Sequence, residues 1–228
     1  MPVPAKPLLL GHRGARSWAP ENTIAAFDLA LDHRAQGFEF DVRCTRDRRL
    51  VLCHDPKFRR LVIRRHTLNQ LHEVMLSSTP TPPLLEDILD RYARTAFLNI
   101  EVKVRGIEDL VARAVKHTRP QDYFISSFLP GVIRRLHSLD HSLALGTLAQ
   151  TSWQLRRWRR LPVRYVVPHY RLLSRRLVEK LHRAGKIVVT WTVNDRKQML
   201  RLAAMGVDGI ISDDTKTLVE TLGGTNHT

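Results

Sequence analysis

Leu8-Leu9-Leu10-Gly11-His12-Arg13-Gly14 is the stretch that decides the fold of this 228-residue chain. An apolar run stopped by an imidazole, a guanidinium and a glycine reads as a buried parallel strand ending in a turn. Pro20-Glu21-Asn22-Thr23 then opens the apolar-periodic stretch Ile24 to Leu31, which reads as a helix with proline near its first turn. Strand, polar turn and helix make one β/α unit. His12 and Arg13 fall at the carboxyl end of its strand, where α/β folds bind their ligands.

The unit recurs outward along the chain. Gly37 to Val42 is a second strand, carried through a short polar turn into Leu50 to Asp55 as a hairpin extension. Further strands are expected at Ala96 to Lys103, Tyr123 to Phe128, Leu143 to Leu148, Tyr165 to His169, Lys186 to Asn194 and Gly209 to Asp213. Helical patterns separate or follow them at Leu84 to Ala93, Ile107 to His117, Pro130 to Ser138, Trp153 to Arg160, Ser174 to Ala184, Arg196 to Met205 and Thr217 to Leu222. Eight strands alternating with helices predict a parallel sheet with right-handed crossovers, closed into an α/β (β/α)8 barrel, one domain over residues 1–228. An open doubly wound sheet is the alternative, but the first strand lacks a Gly-x-Gly-x-x-Gly turn. Residues Pro56 to Pro83 interrupt the rhythm with clustered arginines, the amphipathic stretch Leu68 to Met75 and the run Ser77 to Pro83. They read as a short insertion after the second strand, lying over one mouth of the fold. With Asp47 and Arg48 as the central turn residues, Asp41 is expected directly opposite His54.

Composition narrows the class. A 43% hydrophobic and 26% charged chain is ordinary for a soluble domain, and no apolar run approaches the ~20 residues of a membrane span. The first ten residues lack the apolar stretch and cleavage site of a secretory signal, so a cytoplasmic protein is expected. Cys44 and Cys53 give neither a disulfide framework nor zinc spacing, and read as buried, unbonded thiols. The net charge of +15 is concentrated in Arg59-Arg60, Arg64-Arg65 and Arg156-Arg157-Trp158-Arg159-Arg160. Such a surface attracts phosphates on small substrates, anionic membranes or nucleic acid, and charge alone does not choose.

The polar residues at the strand ends do choose. Three consecutive strands end in His12-Arg13, Glu39-Phe40-Asp41 and Glu101-Val102-Lys103, with His54 closing the extension. Glu39 and Asp41, two apart on a strand, share a face. Three converging carboxylates repel one another unless something positive lies between them, and an all-oxygen set suits a hard divalent cation, Mg²⁺ or Ca²⁺. Arg13 and Lys103 add fixed positive charge, which together with a metal is a setting for phosphate. His12 and His54 are suited to be general acid and general base near neutral pH. The parts spell phosphoester cleavage. The competing explanation is plain ion pairing, Glu101 with Lys103 and Arg13 with Asp41. His169, at the end of the sixth strand, and Trp191, on the seventh, are further candidates to reach the mouth.

With these motifs in place the chain resembles the glycerophosphodiester phosphodiesterase family, whose members are TIM barrels. The likeness rests on Gly11-His12-Arg13-Gly14, Pro20-Glu21-Asn22-Thr23, Glu39-Phe40-Asp41, His54-Asp55, Glu101-Val102-Lys103, Ser127-Phe128, Trp191-Thr192-Val193-Asn194 and Gly206 to Asp213. It implies His12 and His54 as the acid/base pair, Glu39, Asp41 and Glu101 as carboxylates for one Mg²⁺ or Ca²⁺, Arg13 and Lys103 as phosphate contacts, and Trp191 as a wall on the glycerol side. The activity it implies is metal-dependent hydrolysis of a small-molecule glycerophosphodiester to sn-glycerol 3-phosphate and an alcohol. One departure is Asp47-Arg48 where the family often has Asp-Gly. Two other readings stand beside it: phospholipase D-like cleavage of lysophospholipids, with the basic exterior in peripheral contact with anionic membrane, and a catalytically weak polyanion-binding barrel. No specific nucleic-acid partner is expected.

Overall fold

Parallel strands close into a ring in the computed structural model, which describes residues 6–73 and 81–224. β1 (Leu8–His12) leads through α1 (Ile24–Asp32) to β2 (Gly37–Cys44) and its antiparallel partner β3 (Leu50–Leu52). A small excursion follows, made of β4 (Lys57–Phe58), β5 (Leu61–Val62) and α2 (Leu68–Glu73), before α3 (Leu85–Tyr92) returns the chain to the barrel. The alternation then runs β6 (Phe97–Val102), α4 (Glu108–Thr118), β7 (Tyr123–Ser127), α5 (Pro130–Leu139), β8 (Leu145–Ala149) and α6 (Ser152–Leu155). It ends with β9 (Tyr165–Pro168), α7 (Arg175–Arg183), β10 (Ile187–Thr190), α8 (Arg196–Ala204), β11 (Gly209–Ser212) and α9 (Thr215–Leu222). Each barrel strand pairs in parallel with its neighbour, and β1 pairs with both β2 and β11, which closes the expected TIM barrel.

Strand alternation sorts side chains into two cores. Leu10, Phe124, Leu148, Tyr165, Val167, Val189 and Ile211 fill the barrel interior, where Phe124 stacks on Tyr165 with ring centroids 4.2 Å apart. The other face of each strand packs against the helices, as Phe38, Phe40, Leu98 and Ile100 do beneath α1, α3 and α4. Read upward, the interior parity places His12, Glu39, Asp41, Glu101 and Asp213 in or above the top layer. Gly37 marks how closely β2 and β6 approach: a Cβ there would meet the backbone of Phe97. Gly37→Ala is expected to destabilise the fold by at least the ~1–3 kcal/mol typical of overpacking, read as a lower urea midpoint.

The structure adjusts several expectations. Pro20 to Asn22 lie outside the first helix, which begins at Ile24 because the Thr23 hydroxyl accepts from Ala26 N–H at 3.2 Å as its N-cap. The hairpin between β2 and β3 is one residue longer in its turn than expected: Thr45 and Arg49 pair around Arg46, Asp47 and Arg48, with Arg48 at φ 64°. This is a three-residue turn with a left-handed last residue, and it shifts the register so that Asp41 faces Cys53 (Cys53 N–H to Asp41 O, 3.0 Å) and not His54. Arg48 tolerates that backbone while donating to Gly106 O at 2.8 Å and meeting Asp109 at 3.3 Å. The basic helix expected over Trp153 to Arg160 is a single α-turn, α6, continued as a 3₁₀ turn from Arg156 to Arg160. Cys44 is buried and unbonded as expected, whereas Cys53 is only partly buried. The Met75 end of the insertion's amphipathic stretch and Ser77 to Pro80 lie outside the described residues.

Candidate active site

The end of β1 turns sharply. Arg13 has φ 56° and Gly14 φ 82°, and the Arg13 N–H donates to Glu39 Oε2 at 3.1 Å. Its guanidinium donates to both Glu21 oxygens at 2.9 Å and lies 3.1 Å from Asp41 Oδ2. Asn22, also left-handed at φ 57°, clasps Asp41 from both sides: its amide donates to Asp41 Oδ2 at 3.0 Å, and its carbonyl accepts from Asp41 N–H at 3.1 Å. Strained backbone at this turn therefore aims the Pro20-to-Thr23 loop at the carboxylates.

Register does the rest. His12 lies beside Glu39 across the β1–β2 pair, and Asp41 beside Glu101 across β2–β6. Glu39, Asp41 and Glu101 are each buried, and one oxygen from each falls within 4.8 Å of the others. Lys103 Nζ lies 2.7 Å from Glu101 Oε1 and 3.1 Å from Asp41 Oδ1. The ion pairs expected from residue types alone, Glu101 with Lys103 and Arg13 with Asp41, are thus both present. They do not satisfy the cluster, because Glu39 Oε1 is buried without a hydrogen-bond partner and Asp41 Oδ1, also buried, meets only the Lys103 ammonium.

Burial sets the electrostatics. It pushes the Glu39 carboxyl well above its ordinary value, with Asp41 and Glu101 pushing the same way. It pushes Glu101 up to about 7, against the pull of Lys103. Burial opposes the charge on Asp41 too, but Lys103 and Arg13 outweigh it and hold that carboxyl below its usual range. Three all-oxygen donors at this spacing, with a buried oxygen of Glu39 left without a partner, fit a hard divalent cation.

His12 Nδ1 lies 2.7 Å from Asp213 Oδ1, and its Nε2 3.9 Å from Glu39 Oε2. Asp213 is in turn held by Asn194, whose amide donates to Asp213 Oδ2 at 2.7 Å and whose carbonyl accepts from Asp213 N–H at 2.9 Å. A cavity of about 170 Å³ opens above these groups, lined by His12, Arg13, Glu39, Glu101 and Lys103 on one side. Phe128, Gln150 and Trp191 line the other, with the Trp191 indole donating to Val167 O at 3.0 Å and meeting Phe128 edge-on. His54 reaches the same cavity from beyond β3, its Nδ1 2.9 Å from Asp55 and its carbonyl held by the Arg43 guanidinium at 2.6 and 2.9 Å. The structure thus brings together every expected site residue but one around or beneath one opening. His169 stands behind: its ring packs edge-on against Trp191 at 5.5 Å, and its Nδ1 accepts from Arg171 N–H at 3.3 Å. It buttresses the aromatic wall and does not line the cavity.

The sequence model of the glycerophosphoryl diester phosphodiesterase family matches residues 12–217. The chain belongs to that family. It is 31% identical to a glycerophosphodiester phosphodiesterase of Caldanaerobacter subterraneus subsp. tengcongensis, over 94% of this chain and 97% of the other. It is 31% identical to a glycerophosphodiester phosphodiesterase of Bacillus altitudinis, over 90% and 94%. The solved structure of an Oleispira antarctica phosphodiesterase in complex with the product sn-glycerol-3-phosphate superposes with a TM-score of 0.84 at 25% identity, covering 96% of this chain and 98% of that one.

In this member of the glycerophosphoryl diester phosphodiesterase family the residues that sequence reasoning left without a role are Asp213, Glu21 and Asn22. Asp213 sits 201 positions from His12, at the end of the strand that closes the ring, so only the barrel itself could reveal the pair. Its contact fixes the imidazole orientation without touching the cavity. Asp213→Asn is expected to lower kcat by about 10- to 100-fold, by analogy with other carboxylates that orient a working imidazole, with KM little changed. Steady-state kinetics with and without the substitution check it.

Proposed function

We propose that the chain hydrolyses glycerophosphodiesters to sn-glycerol 3-phosphate and an alcohol. One observation carries the reading: a buried carboxylate trio that leaves Glu39 Oε1 without a hydrogen-bond partner, flanked by Arg13 and Lys103, lies beneath a cavity that His12 also lines. Glu39, Asp41 and Glu101 would hold one Mg²⁺ or Ca²⁺, which supplies Lewis acidity to the phosphoryl group when bound. Arg13 and Lys103 offset charge that grows on the non-bridging oxygens.

Asp213, kept ionised by its His12 and Asn194 contacts against the pull of burial, requires the proton of His12 to reside on Nδ1. Nε2 then presents a lone pair to the cavity, and burial pushes this imidazole below its ordinary value. His12 is therefore suited to take the proton of the attacking oxygen, whether that oxygen belongs to water or to the substrate's own glycerol hydroxyl. His54, more open to solvent at the cavity edge, is placed to protonate the departing alkoxide. The test is glycerol 3-phosphate release from a panel of glycerophosphodiesters, with EDTA and divalent-cation add-back. Release that EDTA abolishes and add-back restores is expected; no release from any diester rejects the reading.

A second reading, lysophospholipid cleavage at a membrane surface, draws on two exposed indoles. Trp18 and Trp153, 55% and 67% exposed, follow the carboxyl ends of β1 and β8 on the catalytic face, and Arg157 lies 4.0 Å over the Trp153 ring. Indole and guanidinium together suit the polar boundary of an anionic bilayer. Among the described residues no helix is long and apolar enough to cross a membrane, so such contact would be peripheral. Turnover of lysophosphatidylcholine vesicles but not of soluble glycerophosphocholine would select it.

A further inference from the structure

Beside the catalytic cavity lies a second opening, about 320 Å³ against about 170 Å³, which the chemistry above does not use. Four arginines line it, Arg43, Arg48, Arg64 and Arg105, over a floor that includes Cys44 and Ile63, and no carboxylate takes part in the lining. Arg43 is tied to a backbone carbonyl and Arg48 to a backbone carbonyl and to Asp109, whereas the Arg64 and Arg105 side chains make no hydrogen bond or ion pair among the described residues. The insertion builds one wall through Ile63 and Arg64, and the turn after β6 builds the other through Arg105.

The two openings share no lining residue, but neighbouring residues of the same segments line both. Arg43 follows Asp41 on the same face of β2, about 7 Å further along the strand. Arg105 stands two residues beyond Lys103, and the Arg43 guanidinium grips the carbonyl of His54, the residue placed at the departing oxygen. On the far side of the Arg43–His54 contact stand guanidinium groups whose planar forks match phosphate and carboxylate oxygens.

We infer that this pocket receives the alcohol half of the substrate, and that the favoured substrates are glycerophosphodiesters whose alcohol itself carries an anionic group such as a second phosphodiester. The inference rests on the phosphodiesterase reading and adds the substrate class to it. It gives the arginine-rich insertion a role in choosing the alcohol.

The experiment compares kcat/KM for three soluble substrates: glycerophosphocholine with a cationic alcohol, glycerophosphoglycerol with a neutral one, and bis(glycerophospho)glycerol with an anionic one. The anionic substrate is expected to exceed the neutral one by about tenfold or more, the worth of one charge-assisted hydrogen bond, with choline poorest. Arg64→Gln and Arg105→Gln, both at exposed positions, should each shrink the anionic-to-neutral ratio several-fold, and Arg105→Glu should favour choline relative to wild type. Turnover of all three with a wild-type ratio at or below one overturns the inference, as does a ratio that neither glutamine variant moves. Release from none of the three is a different result: it rejects the phosphodiesterase reading itself, and the substrate class falls with it.

Discussion

Alanine at His12 or at His54 is expected to lower kcat for glycerol 3-phosphate release by about 10²–10⁴-fold, the usual worth of one general acid or base. The two losses have different origins. At His12 the substitution removes the lone pair on Nε2 and leaves Asp213 facing an empty space at the top of β1. At His54 it removes a side chain 37% exposed, whose backbone carbonyl is still held by Arg43, so the loop keeps its place. Binding is therefore expected to survive, with KM moving far less than kcat. The double variant is expected to fall little below the worse single one, because groups acting as a unit are not additive. Circular dichroism and thermal melts separate misfolding from lost chemistry. Wild-type turnover in either single variant would remove that histidine from the mechanism.

Glu39→Gln is expected to do two opposite things: abolish chelator-sensitive turnover, and stabilise the chelator-treated protein. Glu39 is 3% exposed, its Oε1 has no partner, and Asp41 and Glu101 lie against it. Without a cation this is a buried like-charge cluster, which the fold accommodates by holding protons. The sign follows from Glu101, whose ordinary value of 4.5 rises to about 7 on folding. Between those values the folded chain binds more protons than the unfolded one, so that stability is complete below about 4.5 and is lost as pH rises through about 7. Glu39, raised in the same direction, adds to the trend. Thermal midpoints in EDTA should fall from pH 5 to pH 8, and Mg²⁺ or Ca²⁺ should raise them most at the alkaline end, where the cation no longer competes with protons. The glutamine variant should start higher, slope less and respond less to cation. A flat pH profile in EDTA, with equal cation shifts in both proteins, would argue against a shared cation site.

Legibility in the sequence followed the range of the interactions. Strands were legible because a barrel strand is apolar on both faces and ends in a turn, as Leu8 to Gly14 shows at once. His12, Glu39, Asp41, Glu101 and Lys103 stood out because polar groups interrupt apolar runs at the same end of neighbouring strands. The hairpin register was missed by one residue because Arg48 takes a left-handed backbone that its side chain does not advertise. His169 has the inward parity of its strand, but its Nδ1 is drawn to the Arg171 N–H and its ring to the back of Trp191. Nothing local could reveal Asp213 as the partner of His12, nor Arg64 and Arg105 as two walls of one pocket, since each depends on segments brought together only by folding.

The seam where the ring closes has a consequence for synthesis. His12 leans on Asp213, Trp18 donates to Asp214 at 3.0 Å, and the His33 ring meets the Thr215 hydroxyl at 2.7 Å, so the first strand-and-helix unit is finished by the last. On the ribosome the amino-terminal strand emerges first and waits, with its imidazole untethered, until the final strand arrives. A nascent chain therefore lacks the His12–Asp213 contact until nearly its whole length is out, and chains cut short before residue 213 carry almost every candidate site residue yet lack the carboxylate that orients His12.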